Sequence, residues 1–143
     1  MSAVLIAALF FTVALLVTTA YFLFGSVPLL VLKHDTPMDS RFVRGFYNTY
    51  FLAAMFTASA TALCYALAGR LGFAGGAAVL ALIVAALRWK VLARMDVLRT
   101  RIQAGEGPAI RSFRQLHVAA ILTNVAQLVL IVWTLIAVSI SLK

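Results

Sequence analysis

Four long stretches of this chain contain no Asp, Glu, Lys or Arg, and together they make up most of its 143 residues. They run roughly from Ala3 to Leu32, Tyr47 to Gly69, Gly72 to Leu87 and Leu116 to Leu142. A helix rises about 1.5 Å per residue, so ~20 apolar residues cross the hydrocarbon layer of a bilayer. Three runs meet that length outright. The third is shorter, and Trp89 with the aliphatic stem of Arg88 completes its crossing at the interface. The runs are continuous rather than alternating, and backbone inside lipid must satisfy its own hydrogen bonds, so helices are the expected spanning element. The pattern predicts an all-α fold: one domain, residues 1–143, forming a bundle of four transmembrane helices with spans at about 3–32, 47–69, 75–89 and 116–142. A hydrophobic content of 64% and a mean hydropathy of +1.06 exclude an ordinary water-soluble domain.

The net charge of +8 suggests nucleic-acid binding until it is mapped. Ten of the 12 basic residues are Lys33, Arg41, Arg44, Arg88, Lys90, Arg94, Arg99, Arg101, Arg111 and Arg114; only Arg70 and Lys143 lie elsewhere. Four spans put the 33–46 and 88–115 segments on one face. The positive-inside rule makes that face cytoplasmic and both termini non-cytoplasmic, the arrangement of a bacterial inner (cytoplasmic) membrane protein with no nucleic-acid partner. Arg41, Arg44, Arg94, Arg99, Arg101, Arg111 and Arg114 are then candidate contacts for anionic lipid or an acidic partner, or serve only to set topology. The first run lacks a basic n-region and is too long for a signal peptide, so it reads as a retained helix. Cys64, the only cysteine, sits mid-span and has no disulfide partner in the chain.

Gly25-Ser26-Val27-Pro28 predicts a break in the first helix near Phe24–Val27, because proline removes a donor and clashes one turn back. Asp39 or Ser40 can cap the second helix. Tyr50, Ala54, Thr57, Thr61 and Cys64 form a small-residue stripe that permits close helix approach in lipid. The glycine-rich turn 69–76 predicts a third helix starting near Gly75. Val91, Met95, Leu98 and Ile102 lie at helical spacing among basic residues, an amphipathic cytoplasmic extension over about 90–104 that either packs on the bundle or lies on head groups. Arg41–Tyr47 and Arg111–His117 share Arg-x-x-Arg-x-apolar-aromatic, a weak repeat with chance as its rival.

Polar groups are costly in lipid and so point to sites. His117, Asn124, Gln127 and Thr134 fall on one face of the fourth helix, and His34 lies at the same boundary as His117. Two readings stay open. The histidines are candidate cofactor ligands, for a haem or for a metal whose shell Asp35 or Asp96 completes; or they are ordinary interfacial residues. Tyr47, Asn48 and Tyr50 either line a quinone or small-aromatic pocket or belong to an aromatic belt. There is no phosphate loop, paired-cysteine motif, nucleophile elbow or His-Glu-x-x-His, and no acidic residue inside a span.

Leu92–Arg99, a short polar loop, Phe113-Arg114-Gln115-Leu116-His117 and then Asn124 resemble the transmembrane protein 205-like domain family of four-span proteins, whose last span begins with Phe-Arg-x-x-His…Asn. Arg41–Phe51 is similar to the start of that family's second span. The chain departs from the family at Arg94, near which relatives carry a proline. It is similar also to the anthrone-oxygenase-like four-span family. The resemblance implies a four-helix bundle in which His117 and Asn124 matter, and supplies no reaction. Short loops, small-residue faces and the lack of a catalytic constellation favour an accessory or scaffold subunit packed against partner membrane proteins. The alternatives are a redox or oxygenase-like protein using His34 and His117, and passage of a small solute.

Overall fold

A computed structural model describes residues 2–141. Four helices account for nearly all of them: α1 (Ala3–Ser26), α2 (Pro37–Leu67), α3 (Leu71–Gln103) and α4 (Gly107–Ser141), with one 3-10 turn at Pro28–Val31. All four are long and apolar enough to cross a membrane, as the uncharged runs predict. The chain is an integral-membrane four-helix bundle. Successive helices pack as antiparallel neighbours and α4 closes the ring against α1. Phe10, Phe24, Phe56, Leu82 and Trp133 stand exposed around it, where lipid rather than water is the apolar solvent.

Local chemistry sets where each helix stops. α1 ends at Ser26, within the stretch where Pro28 was expected to break it. Proline has no N–H, and the Leu30 N–H bonds to the Val27 carbonyl instead of continuing the α pattern back to Ser26. The cap of α2 is Thr36, not Asp39 or Ser40: its hydroxyl accepts from the Asp39 N–H at 3.2 Å. Pro37 decides this, because it suits the first helical position and holds Thr36 extended at φ −100°, ψ 147°.

α3 starts at Leu71, four residues before the expected Gly75. One glycine suffices for the reversal. Gly69 at φ 72° sends its N–H to Ala66 and the Arg70 N–H reaches Tyr65, a Schellman motif that ends α2 and frees Leu71 to begin the next helix. The α3–α4 connection repeats the device: Gly105 at φ 81°, with its own N–H on Ile102 and the Glu106 N–H on Arg101.

α2, α3 and α4 have 31, 33 and 35 residues. At ~1.5 Å each they are about 47–53 Å long and outreach the ~30 Å apolar layer. The excess lies at the basic end. There the α3 extension packs on the bundle: Leu92, Met95, Leu98 and Ile102 are buried in one cluster with Val43, Tyr47, Ala109 and Phe113. Asp96 fastens it, receiving two bonds of 3.0 Å from Arg44 of α2 and one of 3.3 Å from Arg99. On α2 the small-residue stripe faces inward, with Tyr50, Ala54, Thr57 and Thr61 buried and Cys64 half-buried.

Candidate functional site

The bundle interior carries three polar levels, each built from a hydroxyl of α1 and a tyrosine of α2. Thr12, Thr19 and Ser26 recur every seven residues on α1 and are all buried. At the far end the Tyr65 hydroxyl donates to Thr12 at 3.3 Å, while Thr12 donates to the Ala8 carbonyl at 2.7 Å. In the middle Thr19 lies against Tyr50. At the basic end Ser26 lies against Tyr47. This α1 series is not among the polar positions that stand out in the sequence. Its heptad spacing was the available signal.

The basic-end level holds both histidines. His34 sits in the α1–α2 connection at φ 59°, a left-handed conformation that among residues other than glycine is adopted mainly by Asn, Asp and His. That turn helps hold its ring in the interior, where it is fully buried. Its Nε2 lies 3.2 Å from Nδ1 of His117; Phe113 packs tilted against His34 and Tyr47 edge-on against His117, each with centroids 5.6 Å apart. The Leu32 carbonyl faces His34, and the Ser26 carbonyl, released by the helix break, faces His117. One of the two neutral imidazoles donates its proton across the contact to the other. Burial is the largest influence on His34 and holds its pKa below the ordinary 6.5. Among the described residues, the Tyr47 hydroxyl, Nδ1 of His34 and Nε2 of His117 are buried without a hydrogen-bond partner within normal limits.

The two imidazoles do not fit a bis-histidine haem. Iron between two axial nitrogens separates them by roughly 4 Å, two bonds of about 2 Å, with a macrocycle in the gap. Here the nitrogens are in direct contact and other rings close the remaining sides. A bare metal would need further ligands. Asp35 is exposed, Asp96 is engaged by two arginines, and among the described residues no three His, Cys, Asp or Glu side chains converge.

The middle level is where the α4 stripe turns inward. The Tyr50 hydroxyl donates to Oε1 of Gln127. Among the described residues, Gln127 Nε2 and both amide atoms of Asn124 find no partner, though Asn124 is 1% exposed and Gln127 5%. Both residues are among the lining of a cavity of about 170 Å³ between α2, α3 and α4, whose other walls include Phe51, Leu87, Val91 and Leu116. Among the described residues, no charged side chain lines it. Tyr50 therefore does line a pocket, whereas Tyr47 belongs to the histidine level and Asn48 turns outward to accept from Arg88 at 3.0 Å. Thr134 leaves the stripe: it is partly exposed, bonds the Leu130 carbonyl of its own helix, and borders a separate cavity with Thr12 and Thr61.

The candidate contact arginines spread over the basic end. Arg44 and Arg99 are tied to Asp96; Arg94 and Arg101 flank a shallow surface groove on α3; Arg111 and Arg114 flank another on α4; Arg41 borders a groove between α1 and α2. Comparison with known proteins adds no relative: no family model, no curated protein and no solved structure matches this chain.

Proposed function

We propose that the protein is a membrane-embedded binding protein whose mid-bundle cavity takes a small, neutral, lipid-soluble molecule bearing a hydrogen-bond acceptor, with a donor group as well in the best ligands. The observation that carries this is Asn124, buried with neither amide atom paired beside a cavity. Two unmet amide groups in a low-dielectric interior cost roughly 1–3 kcal/mol each, so a partner on that side of the cavity is strongly favoured. Asn124 and Gln127 offer N–H donors, Asn124 also offers an acceptor, and the remaining walls favour an apolar ring or short chain. The absence of charged lining side chains disfavours ions.

The test is mass analysis of small molecules released from gently extracted protein. Wild type should release a defined compound that Asn124→Leu does not retain, and empty Asn124→Leu should melt higher than empty wild type. Equal release from both proteins, or only water in the cavity of a high-resolution structure, would sink the reading.

A second reading, an accessory subunit packed on partner membrane proteins, is favoured by α3. Only 11% of its most apolar stretch is buried, against 28–33% in the other helices. Native mass spectrometry separates the two, because a subunit leaves the membrane with another chain attached. A bacterial inner-membrane location, non-cytoplasmic termini and kinship with the transmembrane protein 205-like family belong to this proposal too. The basic end supports the first two, and the Phe113-Arg114…His117…Asn124 spacing the third.

A further inference from the structure

Outside the polar interior, a groove of about 620 Å³ lies on the lipid-facing side of the α1–α2 pair. Its walls are apolar and aromatic: Tyr21 and Phe22 from the end of α1, Phe42 and Phe46 from the start of α2. Phe22 and Phe46 lie with centroids 4.7 Å apart. Gly25 lets the helices close beside the groove, since a Cβ there would stand 2.7 Å from the Phe46 ring. The floor is shaped by what is missing. Gly45 lines the groove, and a Cβ built on it meets nothing within 4 Å.

Charge and position identify the occupant. Arg41 stands at the basic end of the groove and makes no ion pair among the described residues, where Asp96 is shared by Arg44 and Arg99. From Arg41 the lining descends α2 to Thr49, eight residues or about 12 Å of helix. A guanidinium above an aromatic-walled groove that runs down to the start of the second span matches a phosphate with the upper part of an acyl chain beneath it. We propose that this groove seats one anionic phospholipid, its phosphate on Arg41 and one chain over Gly45.

The experiment is native mass spectrometry of delipidated protein given dioleoyl phosphatidylglycerol or dioleoyl phosphatidylcholine at equal concentration. Wild type should retain a single phosphatidylglycerol with about a fivefold preference, the scale of one basic residue near a bilayer surface. Arg41→Gln should erase the preference, while Arg101→Gln, elsewhere on the basic end, should keep it. Gly45→Phe should lose the retained lipid with helicity and melting unchanged. Arg41 makes no ion pair among the described residues, so its arm stands even if the Gly45 variant folds poorly. Equal retention of both lipids by wild type, equal effects of the two arginine substitutions, or a protein chain displaced by Gly45→Phe would each overturn the proposal.

Discussion

His34 is where residue-scale physics is most exposed. Burial lowers its pKa; Arg114 on α4 acts in the same direction, while Asp39 on α2 and Asp35 beside it act the other way, and His117 faces it directly. The folded state therefore binds this proton less readily than the unfolded chain, whose histidine titrates at about 6.5. The His34 contribution to stability is complete above that pH and is lost as pH falls through 6.5 toward the lower folded value. Melting temperature in detergent should drop over that window, and His34→Gln should flatten the profile. An unchanged profile would mean that other groups govern it. The sequence placed His34 and His117 at one level but not in contact, because nothing in its spacing announces a left-handed histidine. Asn124 and Gln127 were legible for the opposite reason: polar amides on one face of an apolar helix have few places to go but inward.

At the scale of elements, the α1–α2 crossing depends on Gly25. Gly25→Leu should destabilise the bundle by about 1–3 kcal/mol through overpacking against Phe46. Adding Phe46→Ala should recover part of that loss, which denaturation of the single and double variants measures. A Gly25→Leu protein as stable as wild type would show that the helices slide freely there. Helix existence was readable from uncharged runs, and the α1 break from Pro28. Two ends were not. Thr36 precedes a proline that suits the first helical position, which outweighs the good capping chemistry of Asp39 and Ser40. Gly72, Gly75 and Gly76 cost propensity, roughly 1 kcal/mol each, yet stay helical because lipid offers unpaired backbone no alternative.

For the whole molecule, the basic residues gather where three helices outreach the apolar layer, and this was plain from the sequence once charges were mapped. The amphipathic extension packs on the bundle because Leu92, Met95, Leu98 and Ile102 meet apolar residues of α2 and α4 there. If that end is cytoplasmic, a membrane-impermeant maleimide added outside intact cells should label Arg70→Cys and not Glu106→Cys in a Cys64→Ser background. The reverse pattern would invert the assignment. Ten basic residues at one end also make turning over prohibitive: at ~2.5–3.5 kcal/mol per charge carried through the bilayer centre, reversal costs on the order of tens of kcal/mol. Orientation is thus settled once, at insertion, and kept for the life of the molecule. Any self-assembly must then be parallel, with every copy facing the same way, and the head-to-tail inverted pairs open to small proteins of balanced charge are closed to this one.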